Sequence, residues 1–313
     1  MIHYKMSRRE FIEKSAQCAA FAAAGAALPG LFCESARAGR RFPDIVVSEG
    51  MPGPATRGAV RAIGGMERFV KRGVRVVIKP NISFPNPPDM GSTTHPEVIR
   101  ELAALCREAG AASVLILDNP LRDSELCLER SGLKTACGNL PETGVRVLDN
   151  ERFFEKVDVP EGKDLTSTRI MKQVLAADVL IAAPVAKSHS ATGVSLAMKG
   201  MMGLIHNRWE FHVNMDLNTA IVDLCTVLRP HLTVIDASRI LSTGGPGGPG
   251  KVIPLNKIIA STDMVAADAM AVELGTWYGK TFRARQVKHI RLAHERGLGH
   301  MDIENQVIQE VFV

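Results

Sequence analysis

Short apolar runs alternate with amphipathic stretches along the chain from residue 44 onward. The runs are rich in Val, Ile and Leu and are continuous rather than alternating, which is typical of strands buried on both faces. The predicted strands are Asp44–Ser48, Val74–Ile78, Ser113–Leu117, Val145–Leu148, Val179–Ala183, Leu232–Ile235 and Lys257–Ala260. The predicted helices lie at residues 56–71, 96–109, 123–136, 168–176, 194–205, 215–228, 263–277 and 284–296. Because strands and helices alternate, the pattern predicts an α/β fold with a mostly parallel, doubly wound sheet and helices on both faces.

Polar or ionisable side chains directly follow five of the predicted strands. In open α/β sheets, ligands bind beyond the carboxyl ends of the strands, so these side chains predict a shared site. They are Lys79, Asn81, Asp118, Lys187, His189, Asp236 and Asp263. The three aspartates are candidates for a carboxylate role in catalysis or ligand binding, and a helix cap or turn is the structural alternative for each.

Three lysines, Lys79, Lys187 and Lys199, form the predicted anion-binding group. Lys187 and His189 lie two residues apart, so they share one side of the chain if the backbone is extended. Lys199 is the only charge in segment 193–205, so it must pair, reach solvent at the rim of an apolar face, or serve a ligand. Three converging cations suit a phosphate or a carboxylate. We therefore predict catalytic roles for Lys187, His189 and Lys199, with His189 as acid, base or metal ligand.

Two glycines, a helix start and a loop are further features of the predicted site. Gly200 and Gly203 permit a close approach of the backbone. Thr94 is predicted to cap a helix that begins at Pro96, and the N-terminus of that helix can itself hold an anion. The Gly/Pro-rich segment 242–251 predicts a long functional loop or a hinge.

His189 and His206 are the candidate ligands for a transition metal, although no His-Glu-x-x-His pattern occurs. A metal site would have to be assembled from distant segments, and the cofactor stays unidentified. Cys127 and Cys137 are the one pair that we would test as a disulfide. The sequence has no C-x-x-C, so it contains no iron–sulfur cluster motif.

Composition and the N-terminus bear on location and partners. The 313 residues are 46% hydrophobic and 23% charged with a formal net charge of +5, which is typical of a globular protein. The absence of Lys/Arg runs argues against nucleic acid as a partner. Residues 1–38 predict a signal peptide in which Arg8 and Arg9 resemble a twin-arginine signal and an Ala-Arg-Ala cleavage site follows. We therefore expect the twin-arginine translocation machinery as a partner, a periplasmic or extracytoplasmic location, no membrane span after cleavage, and residues 39–313 as a single α/β domain that could comprise two lobes.

Several segments resemble the domain of unknown function 362 family in order and spacing. They are Val77-Ile78-Lys79-Pro80-Asn81, Gly91 to Pro96, Gly110 to Asp118, Ala177 to Leu204, Asp236, Gly244 to Gly250, and Thr262 to Asp268. The resemblance covers nearly all of residues 44–276. It implies an exported protein, or one fused to ferredoxin-like iron–sulfur modules, which this chain lacks, and it implies no established reaction. A remote likeness to nickel-dependent hydroxy-acid racemases lies in the paired α/β layout and the use of Lys and His.

Three functional hypotheses follow. The first is an exported enzyme that binds a small anionic substrate or a metal cofactor at the carboxyl ends of the strands. The second is a non-catalytic periplasmic protein that binds a ligand or delivers a cofactor with the same pocket. The third is a partner subunit of a redox complex, which would need a sizeable exposed apolar patch. A deep pocket with strongly perturbed lysine and histidine pKa values favours the enzyme.

Overall fold

A mixed, mostly parallel sheet of ten strands runs through residues 42–313, which are the residues that the structure, a computed structural model, describes. Its strands are β1 (Ile45–Glu49), β2 (Arg75–Lys79), β3 (Ser113–Asp118), β4 (Thr143–Val147), β7 (Val179–Ala182), β8 (Val185–His189), β9 (Gly193–Ser195), β10 (Leu232–Leu241), β11 (Val252–Ser261) and β12 (Ile308–Phe312). A separate two-stranded sheet consists of β5 (Phe154–Asp158) and β6 (Ser167–Met171). The α-helices of this part of the chain are α1 (Pro52–Ala62), α2 (Pro96–Glu108), α3 (Ser124–Arg130), α4 (Leu133–Cys137), α5 (Lys172–Leu175), α6 (Ala197–Gly200), α7 (Trp209–Val213), α8 (Leu217–Val227), α9 (Met264–Leu274) and α10 (Lys288–Glu295).

The strand order of the main sheet brings three carboxyl ends to one edge. The order is β12-β1-β11-β10-β7-β2-β3-β4. β11 is antiparallel to both of its neighbours, and the other neighbouring pairs on this path are parallel. β8 extends the line of β7 along β10, since β10 pairs with β7 at Thr233 and with β8 at Asp236 and Leu241. The carboxyl ends of β2, β3 and β8 therefore lie on the same side of the sheet.

Each face of the sheet carries its own hydrophobic core. In β2, Val77 belongs to the core that contains α8, α9 and α10, whereas Val76 and Ile78 belong to the core that contains α1 and α2. Successive side chains of a strand point to opposite faces, so a strand covered on both sides must be apolar throughout. The predicted α/β class, with a mostly parallel sheet between two layers of helices, is confirmed.

Two predicted helices, at residues 168–176 and 194–205, begin as strands in the structure. The first segment begins as β6, and only α5 is helical. The second begins as β9, which pairs with β8 in an antiparallel hairpin, and continues as the short helix α6 and a 3-10 turn at Met201–Leu204. Short apolar runs fit a strand or a helix equally well, so pairing with another strand decided both cases.

The structure corrects the placement of Asp263. β11 is antiparallel, and its last residue Ser261 pairs with Thr233 at the start of β10. Asp263 therefore lies at the edge of the sheet opposite the carboxyl ends of the parallel strands. There its carboxylate accepts the backbone N–H of Val265 at 2.8 Å, which caps α9, and it forms an ion pair with His300. Asp263 has the structural role that the sequence left as the alternative.

The predicted signal peptide, residues 1–38, lies outside the described residues. Within residues 42–313, no helix combines the length and the apolar character that a membrane span requires. Residues 43–313 form one compact unit by their internal contacts.

Four cysteines, Cys106, Cys127, Cys137 and Cys225, are free and buried, so Cys127 and Cys137 are not bridged. Burial raises the pKa of Cys106 to about 12 and the pKa values of Cys127 and Cys137 to about 11. Burial also raises the pKa of Cys225. Because the thiolate is the reactive form, all four thiols are chemically inert near neutral pH.

We expect iodoacetamide at pH 7.5 to leave these four thiols unmodified in the native protein and to label all four after unfolding in guanidinium without reductant. Peptide mapping by mass spectrometry resolves each site separately. Recovery of a linked Cys127–Cys137 peptide, or labelling of either thiol in the native protein, would contradict the arrangement described here.

Candidate functional site

A cavity of about 320 Å³ opens at the carboxyl ends of β2 and β8. Five residues that the sequence predicts for the site line it, namely Lys79, Asn81, Lys187, His189 and Lys199. The other lining residues are Ser83, Phe84, Leu121, Ser195, Gly200, Met202, Gly203, Arg208, Trp209, His212 and Pro246. No aspartate or glutamate of the described chain is among them, so the lining of the cavity is cationic.

Lys79 and Asp118 form a buried ion pair beside the cavity. The parallel register of β2 and β3 pairs Ile78 with Ile116, which places the ends of the two strands side by side. Lys79 Nζ lies 3.1 Å from Asp118 Oδ1, and the two side chains are 2% and 0% exposed. Asp118 Oδ2 accepts the backbone N–H of Ile82 at 2.7 Å. Asp118 is thus committed to Lys79 and to the backbone and is not a free base.

Gly203 lies against this ion pair and leaves no space for a side chain. A Cβ atom at position 203 would overlap both Lys79 and the carboxylate of Asp118. The carbonyl of Gly203 accepts the backbone N–H of Asn119 at 2.9 Å, which holds the two segments together. A Cβ atom on Gly200 would meet its nearest neighbour at 3.8 Å, which is ordinary contact. The close approach predicted for both glycines therefore occurs at Gly203 alone of these two.

Lys187 and Lys199 are amines without a carboxylate partner. Lys187, on β8, donates to the backbone carbonyl of Ser92 at 2.7 Å and is 2% exposed. Lys199 makes no hydrogen bond or ion pair with the described residues. Burial lowers the pKa of each amine to about 7, with the charges of Lys79 and Lys199 adding to the effect on Lys187 and that of Arg208 adding to the effect on Lys199. Both amines therefore change charge near neutral pH, as groups at functional sites often do.

Arg208 is a fourth cation that the sequence analysis missed. Its guanidinium donates to the backbone carbonyl of Pro120 at 2.9 Å and also to that of Asn119. It immediately precedes α7, in a stretch with neither helical nor strand periodicity, so no pattern marked it. The only feature of the sequence that could have indicated a role for Arg208 is its position, nine residues after Lys199. Arg208 makes the cavity more positive and lowers the pKa of Lys199.

His189 and His212 face the cavity as two neutral imidazoles with opposite hydrogen-bonding roles. Burial, the charge of Lys199 and the neighbouring His212 lower the pKa of His189 to about 3. Nδ1 of His189 accepts the backbone N–H of Ala191 at 3.2 Å, so its ring proton is on Nε2. Nδ1 of His212 lies 2.9 Å from the carbonyl of Arg208, which can only accept, so this nitrogen carries the proton and Nε2 has the lone pair. The ring centroids are 6.3 Å apart. The pair offers one N–H donor and one proton acceptor.

Asp236 lies near the site in a structural role. It is fully buried, accepts from Arg239 at 2.7 Å and accepts the backbone N–H of His95 at 2.8 Å. Arg239 also donates to the carbonyl of Thr93 at 2.7 Å. This ion pair fixes the segment before α2, and Asp236 is not a lining residue of the cavity.

Thr94 holds the backbone together and does not cap α2, contrary to the prediction. Its hydroxyl accepts the backbone N–H of Asn81 at 2.8 Å and donates to a carbonyl. The cap of α2 is His95, whose Nδ1 accepts the backbone N–H of Glu97 at 3.2 Å. Asn81 in turn accepts the backbone N–H of Val185 at 3.0 Å, which joins β2 to the start of β8.

His206, the second predicted metal ligand, is not a lining residue of the cavity. Its ring lies 5.1 Å from the ring of Phe154. The part of the chain that the structure describes contains no group of three or more His, Cys, Asp or Glu side chains that could hold a metal ion. A metal on Nε2 of His189 would also need that ring to take the other tautomer, although Nδ1 accepts a backbone N–H. The metal hypothesis for His189 and His206 therefore has no ligand set among these residues.

Asp268 holds the helix that carries Lys199. It is fully buried on α9 and accepts the backbone N–H groups of Ala197 and Met198, at 2.8 and 2.9 Å, at the start of α6. Burial raises its pKa to about 7 against the effect of these two donors. The sequence marks Asp268 only as a residue near a helix start, since its partners are about 70 residues away.

The Gly/Pro-rich segment 242–251 is the hairpin loop between the antiparallel strands β10 and β11. The backbone N–H of Gly245 donates to the hydroxyl of Ser188 at 3.0 Å, and Pro246 lines the cavity. Because it joins two paired strands of one sheet, the segment is a loop at the cavity edge and not a hinge between lobes.

The fold and the site define an α/β protein with a cationic cavity at the carboxyl ends of its parallel strands. Residues 76–273 match the family model described as "Domain of unknown function (DUF362)", and the chain belongs to this family. A curated relative, the thylakoid-associated protein sll1697 of Synechocystis sp., is 26% identical over 227 residues, which cover 70% of this chain and 68% of that protein.

Two solved structures are similar at 12% sequence identity. For the lactate racemase apoprotein from Thermoanaerobacterium thermosaccharolyticum, the superposition has a TM-score of 0.43 and covers 70% of this chain and 54% of that protein. For a Thermotoga maritima protein, the TM-score is 0.38, and the superposition covers 85% of this chain and 51% of that protein. The chain spans about half the length of each, and similarity at this level carries no argument about function.

We expect Gly203→Ala to lower the free energy of unfolding by about 2–4 kcal/mol, because the added methyl group must displace a buried ion pair. Gly200→Ala is the matched control, with a predicted change of less than about 1 kcal/mol. Guanidinium denaturation followed by circular dichroism measures both. Equal effects of the two substitutions would show that the close approach at Gly203 is not a constraint.

Proposed function

We propose that this protein is an enzyme that binds a small organic anion in the cationic cavity and transfers a proton to or from it. The observation that carries the proposal is the convergence of Lys79, Lys187, Lys199 and Arg208 on a cavity that no carboxylate of residues 42–313 lines. Concentrating buried and partly buried cations costs folding free energy, and a ligand of opposite charge recovers part of it. Asp118 neutralises one of the four, so the remaining charge attracts an anion.

The two histidines supply the chemistry in this proposal. Nε2–H of His189 is a hydrogen-bond donor, and the free Nε2 of His212 is a proton acceptor. His212 can remove a proton from a bound ligand and return it, while the N–H of His189 donates a hydrogen bond to the charge that develops on the ligand. The lysines stabilise negative charge that develops on the ligand when a proton leaves a neighbouring atom. A non-catalytic binding protein would need the cations but not this pair, which is why we favour an enzyme.

Sulfate is a suitable probe of the cavity, since its charge is constant between pH 5 and 9. The amines of Lys187 and Lys199, with pKa values lowered to about 7, are charged below that pH and lose their charge above it. We therefore expect sulfate affinity to fall as pH rises from 6 to 8.5, by up to about tenfold per pH unit for each amine that titrates. Isothermal titration calorimetry at low ionic strength measures the affinity, and proton uptake on binding at pH 7.5 should appear as a dependence on buffer ionisation enthalpy.

Matched lysine variants distinguish sulfate binding in the cavity from attraction by the general charge of the protein surface. Lys199→Met and Lys187→Met should each weaken sulfate binding at pH 6.5 by about tenfold, the loss of one charge interaction. Lys134→Met removes the same charge from an exposed position on α4 and should leave the affinity unchanged. Sulfate binding that is absent, independent of pH, or equally weakened by all three variants would overturn the proposed anion site.

Export by the twin-arginine route is part of the same proposal and rests on Arg8 and Arg9. We expect the double variant R8K/R9K to stay in the cytoplasm of a host with this export route, measured by cell fractionation and immunoblotting. The chain provides a matched control in Arg40 and Arg41, an arginine pair beyond the predicted cleavage site. R40K/R41K should be exported normally. Export of R8K/R9K at the normal level would contradict the proposed route.

A further inference from the structure

The rim of the cavity is apolar and aromatic, in contrast to its charged interior. Trp209, Leu121 and Phe84 line the cavity, and Trp209 and Leu121 are 75% and 48% exposed. The lysines and the histidine pair account for the binding of a charged group. They do not account for the apolar side chains at the rim. Exposed large apolar side chains grouped at a pocket mouth are typical of ligand-binding surfaces.

The backbone at Trp209 is anchored by the residue before it in sequence. Arg208 is anchored to the carbonyls of Asn119 and Pro120, and Trp209 is the first residue of α7 directly after it. The indole N–H of Trp209 has no hydrogen-bond partner among the described residues. The chain has two tryptophans, and the other, Trp277, is fully buried and donates to a carbonyl at 2.9 Å. Of the two tryptophans, only Trp209 therefore has an indole that is exposed and makes no hydrogen bond with the described residues.

Phe84 is also fixed, by the Gly/Pro-rich loop. A Cβ atom on Gly247 would meet the ring of Phe84 at 2.8 Å, so the backbone of the loop packs directly on that ring. Phe84 is thus an aromatic ring with little freedom to move, and Trp209 lines the same cavity from an anchored backbone. Aromatic rings favour flat, apolar partners, and a ring that is already fixed loses little conformational entropy on binding.

We propose that the ligand is an anion that carries a flat, apolar ring, with its charged group at Lys187 and Lys199 and its ring against Trp209, Leu121 and Phe84. This inference rests on the proposed function and names the substrate class of the same cavity. A volume of about 320 Å³ accommodates one ring together with an anionic group, at the small end of the range of ligand pockets. Burial and stacking of one ring at this rim correspond to a gain in affinity of about tenfold to a hundredfold.

Phenyl phosphate and methyl phosphate test the inference, because they share the monoester group and differ in the ring. We expect phenyl phosphate to bind at least about tenfold more tightly by isothermal titration calorimetry. Fluorescence of Trp209 should change on binding of phenyl phosphate, while Trp277 contributes a constant signal from the core. Cyclohexyl phosphate, with a saturated ring of similar size, should bind more weakly than phenyl phosphate.

Two variants test whether the rim residue Trp209 causes the higher affinity for phenyl phosphate. Trp209→Ala should reduce the ratio of the two affinities to nearly one, and Trp209→Phe should largely restore it. Since Trp209 is mostly exposed, both variants should fold, which circular dichroism checks. Phe312→Ala removes an equally exposed ring, 72% exposed, from β12 at an outer edge of the sheet and should keep the wild-type ratio.

The outcomes separate this inference from the proposed function. Equal affinity for phenyl, cyclohexyl and methyl phosphate would overturn the ring inference and leave the anion site standing. Tight binding of cyclohexyl phosphate, or a ratio unaffected by Trp209→Ala, would also overturn it. Failure of every phosphate to bind, together with failure of sulfate, would overturn both.

Discussion

The buried ion pair between Lys79 and Asp118 is the contact on which the site depends. It joins the ends of the neighbouring parallel strands β2 and β3, where neither charge reaches water. A buried charge without a partner would cost several kcal/mol, so each member of the pair requires the other. The backbone of Gly203 packs directly against the pair, which is possible because glycine has no side chain. The segment with Gly203 also contains Lys199 and leads to Arg208, so two of the other cations lie on the segment that packs against the pair.

The remaining charges of the cavity are arranged at the expense of stability. Lys187 and Lys199 form no ion pair with a carboxylate of the described residues, and their pKa values near 7 reflect the cost of burying a charge. Burial, together with the same positive surroundings, lowers the pKa of His189 and keeps it neutral. A stable fold alone would favour apolar side chains at these positions, and proteins accept such costs mainly at functional sites.

Two other buried carboxylates support the cavity from a distance. Asp268 on α9 accepts the backbone N–H groups at the start of α6 and so positions Lys199. Asp236 pairs with Arg239 and fixes the segment that ends at His95. Of the two, the sequence marks Asp236 as a candidate for a carboxylate role. Both already have partners in the fold, so their function is to hold the cavity in shape.

The sequence by itself determined the class of fold and the main cations of the site. Continuous Val/Ile/Leu runs are required where strands are buried on both faces, and Lys79 and Lys187 stand out because they interrupt or end such runs. Only the tertiary structure decided the direction of β11, which removed Asp263 from the site. The fold also brought Arg208 and Trp209 to the cavity, from a stretch without periodicity. Strand direction and the recruitment of loops depend on contacts between residues far apart in sequence, which local patterns do not encode.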